Sequence, residues 1–268
     1  MKTISQAAKK EAADFDEIVK AIKWEEICFQ DKKQLNYREC ILPNIVGLAV
    51  DYLSRMMITG DKNKAFRISL MFKDMSCFVN HPDNPMTKDA DSFFEKINGM
   101  DDLSIINACS LVCFDDIFRA SKFDNNNFRY LQTLQPAQYK STVENIRVMV
   151  QRCIDYFKGC HSPDTGFCVK YGGVFGDGDY FTGTELCDLK VSKYKLHDED
   201  HPDNFLHHTK QVLLYWYAGL HTEGLDFSKI DTLSIFNPRL NIAWKLKVSQ
   251  LPEDLLDELD MFCWECLW

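Results

Sequence analysis

Apolar residues recur at helical spacing through most of the first 157 positions and then break into strand-sized runs. The pattern predicts helices over 5–30, 42–58, 90–98 and 101–120, with Thr59-Gly60-Asp61 breaking the second. Residues 65–77 continue apolar, and 80–84, with Pro82 and Pro85, reads as a loop. A polar turn over 124–127 precedes 130–134, and Pro136 opens a long helix. That helix is predicted over 138–157 from Val143, Ile146, Val150, Ile154 and Phe157. Residues 176–193 read as a strand, a tight turn around Thr182-Gly183 and a second strand. After a polar loop over 198–204, the segment 204–220 is apolar nearly all round and predicts a buried helix. Strands over 230–236 and 242–248 follow, joined through Asn237-Pro238-Arg239. The expected fold class is mixed α/β: a helical amino-terminal half, then a small mixed sheet flanked by helices.

The chemistry concentrates on the predicted hairpin. Asp179 falls on its first strand, and Asp188 and Lys190 fall two apart on its second, hence on one face with Leu186. Cys187, Leu189 and Val191 face the other way. Two carboxylates and a lysine on one face suit a hard divalent cation with a water beside it, the equipment for cutting a phosphodiester. An acid and a lysine also alternate on many solvated strands, so the pair alone does not define a site. About twenty residues on, Gln211 and Tyr215 stand four apart on one face of the predicted helix. Taken by themselves they describe a core helix with a buried tyrosine.

Together these residues resemble the PD-(D/E)XK nuclease superfamily, in its RecB-like and lambda-exonuclease-like branch. The resemblance rests on Asp179, on Asp188-Leu189-Lys190 nine positions later, and on the Gln211-x-x-x-Tyr215 pair, and it covers roughly 137–248. Gly178 stands where the family pattern often has proline. The likeness implies a restriction-endonuclease-like core, with Mg²⁺ or Mn²⁺ held by Asp179, Asp188 and the Leu189 carbonyl. Lys190 would position or activate a water, and Gln211 and Tyr215 would sit beside the metal centre or hold the substrate strand. Relatives often add a carboxylate from the preceding helix. Glu144, 35 residues ahead of Asp179, is the choice for that third contact, against a solvated first-turn glutamate, and His161 is the runner-up. Lys193 and Lys210, with Lys195 and Arg239 nearby, are candidates for phosphate contact. The segment Gly47-x-Ala49-x-Asp51-Tyr52-Leu53-x-Arg55 is similar to one in bacterial nuclease-like proteins, but reads first as an amphipathic helix packed by Val50, Leu53 and Met57.

The expected organisation is a helical region over 1–135, a nuclease core over 136–250 and an acidic helix or tail over 251–268. The expected activity is metal-dependent hydrolysis of nucleic acid, with DNA placed ahead of RNA and exonuclease ahead of endonuclease action, both pairs left open. The alternative is a nuclease-fold binding or assembly module with little or no chemistry.

Composition narrows the setting. At 46% hydrophobic and 26% charged residues the chain is globular. No apolar run reaches the roughly 18 residues that span a bilayer, and the start lacks a secretion signal, so a cytoplasmic protein is expected. The eleven cysteines read as reduced, small hydrophobes. Cys263 and Cys266 are two ligands where a zinc or iron–sulfur site needs four. The net charge of −9 opposes generic nucleic-acid affinity, but 251–268 alone contribute −6. That acidic stretch reads as solubilising or as a surface for a protein partner, with homo-oligomers also open.

Overall fold

The computed structural model describes residues 1–36, 38–75, 84–120, 124–160 and 164–268. The chain is mixed α/β and divides into two compact units, Met1–Gln30 with Gly159–Trp268, and Asp31–Lys158. The first thirty residues thus belong with the sheet, and the Pro136–Tyr156 helix belongs with the other unit. This differs from the linear division expected from sequence because strands near the amino terminus pair with strands far along the chain.

Among the described residues the sheet unit holds nine strands: β1 (Lys2–Thr3), β2 (Glu25–Cys28), β3 (Asp164–Thr165), β4 (Cys168–Tyr171), β5 (Val174–Asp177), β6 (Tyr180–Phe181), β7 (Glu185–Leu189), β8 (Thr232–Asn237) and β9 (Ile242–Lys247). They form a six-stranded sheet in the order β2-β9-β8-β7-β6-β3 and a three-stranded sheet in the order β1-β5-β4. In the larger sheet β7 and β8 run parallel and every other neighbour is antiparallel. A parallel pair needs a crossover of a dozen or more residues, and the Asp203–Leu220 helix supplies it. Leu186, Leu233 and Leu246 share one core with Val212, Leu213, Leu214 and Ala218 of that helix. Ile235, Trp244, Ile242 and Leu196 form a second cluster farther along the sheet. Each fully buried aliphatic side chain contributes on the order of 1.5–3 kcal/mol of transfer free energy.

Two expectations for this unit change. The helix read over 5–30 is two short helices, Ile4–Ala7 and Ala13–Ala21, followed by β2. Pairing with β9 overrides the local pattern there, and Trp24 beside the strand packs onto both core clusters. The long hairpin over 176–193 is also not continuous. β5 pairs with β4, the chain changes sheets at Gly178-Asp179, and only β6 pairs with β7. The acidic carboxyl-terminal segment is a docked helix, Leu255–Glu265, with Leu255, Leu259, Phe262 and Cys263 buried. Gly172 and Gly173 allow that approach: a Cβ on Gly173 would lie 2.2 Å from the Cys266 carbonyl carbon.

The second unit is helical. It contains Pro43–Thr59, Lys62–Ala65, Arg67–Met71, Pro85–Lys96, Asp102–Val112, Asp115–Ala120, Asn125–Thr133 and Pro136–Tyr156. Gly60 ends the first of these in the left-handed conformation at φ 72°, as the break predicted. Met57, expected to pack, is exposed, while Asp51 and Arg55 are buried as an ion pair at 2.6 Å. The predicted turn at 124–127 instead opens a helix, with Asp124 accepting from the Asn126 N–H. Cys77, the loop at 80–83 and His161 lie outside the described residues.

Candidate active site

Asp188 is the fourth residue of β7 and lies opposite Ile235 of β8, on the face that the Asp203–Leu220 helix covers. It is 4% exposed. Lys190 follows the end of the strand, and its N–H donates to the Phe236 carbonyl at 2.9 Å. Its Nζ lies 2.7 Å from Asp188 Oδ2, an ion pair between a nearly buried carboxylate and a half-buried ammonium. Asp179 sits in the bend between β5 and β6 rather than on a strand. The β6–β7 register, Tyr180 with Cys187, carries it to the level of Asp188. Asp179 Oδ2 accepts from the Leu189 N–H at 2.8 Å. The three residues are therefore brought together at the carboxyl end of a parallel strand, where open α/β sheets hold their ligands.

The bend is built around glycines. A Cβ on Gly178 would fall 2.1 Å from the Phe167 ring, and the Gly178 N–H donates to the Phe167 carbonyl at 2.8 Å. Proline would have both the clashing carbon and no N–H, which accounts for glycine at this position. Phe167 cannot swing aside easily, because its ring contacts Phe181 and Phe227 at centroid distances of 5.2 and 5.4 Å. Gly178→Ala is expected to destabilise the protein by about 1–3 kcal/mol through overpacking. Gly183→Ala, where a Cβ meets nothing within 4 Å, is expected to be near neutral. Urea denaturation of the two variants checks the contrast.

Gln211 and Tyr215 face this bend from the helix. The Tyr215 hydroxyl donates to the Asp177 carbonyl at 2.9 Å, and its ring lies where a Cβ on Gly176 would be 3.0 Å away. Gln211 donates to Ser5 Oγ at 3.3 Å. Burial pushes the Tyr215 phenol well above its ordinary range, and the charges of Asp179 and Asp188 push it the same way. Both side chains are under 10% exposed, at 6% and 8%. Tyr215 thus braces the backbone that leads to Asp179, and Gln211 ties the helix to Ser5; the resemblance has the two beside the metal centre or on the substrate strand.

One residue that the sequence reading missed belongs to the same stripe. His208 precedes Gln211 by three and Tyr215 by seven, which puts the three side chains on one helix face. Burial, then Lys190 and His207, drive its pKa down to about 2. Burial and the Lys190 charge both favour the neutral form of its ring. Its helical spacing to Gln211 was the available signal.

The remaining candidates lie elsewhere. Lys210 is a core residue, its side chain 1% exposed. It pairs with Asp16 at 2.7 Å, donates to the Lys10 carbonyl at 2.6 Å and lies over the Phe15 and Phe262 rings. With Asp16 and Lys10 it lines a cleft of about 300 Å³ that does not include Asp179, Asp188 or Lys190. Lys193 is exposed in the segment after β7. Lys195 is held by Glu26 at 2.8 Å, and Arg239 lies half-buried in the turn after β8. Glu144 is exposed on the Pro136–Tyr156 helix, which belongs to the helical unit. Cys263 and Cys266 are buried thiols in the main core of the sheet unit. Among the described residues no group of three or more His, Cys, Asp or Glu is arranged to hold a metal ion. Two clefts of about 360 and 300 Å³ open on the sheet unit, and neither is lined by Asp179, Asp188 or Lys190.

Comparison with protein-family models, curated proteins and solved structures gives no match for this chain. No helix among the described residues is long and apolar enough to cross a membrane.

Proposed function

We propose that the sheet unit is a metal-dependent nuclease with a restriction-endonuclease-like core of the PD-(D/E)XK type. The observation that carries this reading is the convergence of Asp179, Asp188 and Lys190 at the end of β7. The parallel β7–β8 pair with its helical crossover, and the Tyr215 brace behind the bend, support it.

The donor set suits Mg²⁺ or Mn²⁺. Mg²⁺ keeps several waters and commonly takes only one or two carboxylates besides substrate phosphate, so the two aspartates, with no larger group of metal-ligating side chains among the described residues, fit it. Asp179 and Asp188 would hold the ion, with the Leu189 carbonyl as the further oxygen. Such an ion supplies Lewis-acid polarisation of a phosphoryl oxygen and acidifies a water. Lys190 presents its ammonium where charge develops on the phosphoryl oxygens and orients the attacking water. The Leu189 N–H fixes the Asp179 carboxylate before substrate arrives. Tyr215 fixes the bend through the Asp177 carbonyl.

A second reading, a nuclease-fold binding or assembly module, is favoured by one feature: neither the 360 nor the 300 Å³ cleft is lined by the carboxylates. Calorimetric titration with Mn²⁺ separates the two. The nuclease reading expects heat of binding in the wild type that Asp179→Asn and Asp188→Asn abolish. Equal heats in all three proteins, or none in the wild type, contradict it.

A further inference from the structure

Residues 190–202 join β7 to the Asp203–Leu220 helix without regular structure, yet their path is fixed at several points. Leu196 is buried with Ile235, Ile242 and Trp244. Asn237, 1% exposed at the end of β8, donates through Nδ2 to the Ser192 carbonyl at 2.9 Å and to the Tyr194 carbonyl at 3.5 Å. The Tyr194 N–H donates to Ser192 Oγ at 3.0 Å, and Lys195 is tied to Glu26. Between these ties Lys193 and Tyr194 face solvent, and Lys195, His197, Glu199 and Asp200 are exposed farther along the segment. Tyr194 is 45% exposed, with the His201 ring supporting it at a centroid distance of 3.8 Å. Lys193 is exposed beside it and makes no ion pair among the described residues.

We infer that this segment is a stacking platform for single-stranded nucleic acid, on which Tyr194 takes a base and Lys193 a phosphate. The platform begins at Lys190, so a strand lying on it is led to Asp188 and Asp179. An aromatic face stacks any base, but only where the base is out of a duplex, so the platform selects single strands or unpaired ends with little sequence preference. Holding the ring in place beforehand reduces the ordering cost of binding. A lysine on the backbone adds an attraction that weakens with salt. The inference deepens the nuclease reading by naming the form of the substrate, and it rests on that reading for the fate of the bound strand.

The test is fluorescence anisotropy on the full chain in EDTA. The probes are labelled oligo-dT, oligo-U, an abasic strand of equal length and a duplex. Both base-bearing single strands are expected to bind more tightly than the duplex. Tyr194→Ala is expected to weaken their binding about tenfold or more while leaving the abasic strand unchanged, and Tyr194→Phe is expected to bind as wild type. Lys193→Ala is expected to weaken every strand alike and to lower the salt slope by about one. Equal binding of abasic and base-bearing strands, or no effect of Tyr194→Ala, overturns the platform. Tyr194-dependent binding without cleavage in Mg²⁺ or Mn²⁺ keeps the platform and removes the nuclease reading. Lys190-dependent cleavage that ignores Tyr194 does the reverse.

Discussion

Lys190→Ala is expected to lower phosphodiester cleavage by about a hundredfold or more, and Asp188→Asn by at least as much. The size follows from where the groups sit. Asp188 is 4% exposed and Lys190 is half-buried, so their charges act with less screening by water than a surface pair would. Both are also fixed beforehand: Asp188 by the β7–β8 ladder and Lys190 by its bond to the Phe236 carbonyl. A preorganised charge spends nothing on reorientation when the substrate's charge develops. Lys190→Arg keeps the charge on a planar fork in place of a compact ammonium, and an intermediate rate is expected. Circular dichroism on each variant confirms that a lost rate is not a lost fold. A wild-type rate in both Lys190→Ala and Asp188→Asn sinks the assignment.

The second large effect is on stability. Asp16→Ala is expected to destabilise the sheet unit by about 3–5 kcal/mol, because it strands the Lys210 ammonium in the core. That ammonium is enclosed by the Phe15 and Phe262 rings, and its other oxygen partner is the Lys10 carbonyl. Lys210→Met removes the charge and keeps most of the volume, so a smaller loss is expected. The double variant is expected to recover much of what Asp16→Ala loses, which a double-mutant cycle measures directly. Tryptophan fluorescence during urea unfolding is a suitable probe, since all five tryptophans belong to the sheet unit. Additive losses in the double variant contradict a coupled pair.

What the sequence could show follows from the range of the forces involved. Asp188 and Lys190 are two apart, and Gln211 and Tyr215 are four apart, so strand and helix periodicity place each pair on one face without tertiary knowledge. The parallel β7–β8 pair could be anticipated from strand, helix, strand order, because that connection has few alternatives. Lys210 could not be placed in this way. Its partner Asp16 lies 194 positions earlier, and a lysine in a helical repeat looks solvated until that carboxylate is known to face it. The change of sheets at Gly178 was hidden for a similar reason, since the Phe167 ring that dictates it comes from a different strand connection. β2 read as helix because an edge strand of four residues is defined by its pairing with β9 more than by its own residues.

The most direct test of the central claim is a cleavage assay in Mg²⁺ and in Mn²⁺. Its substrates are linear and circular DNA, single- and double-stranded, together with RNA, and Lys190→Ala runs in parallel. Cutting by the wild type that EDTA and Lys190→Ala both abolish is the predicted result, and the linear-to-circular contrast then separates end-dependent from internal action. Cutting that persists undiminished in Lys190→Ala, or no cutting of any substrate with either ion, contradicts a catalytic role for the Asp179, Asp188 and Lys190 cluster.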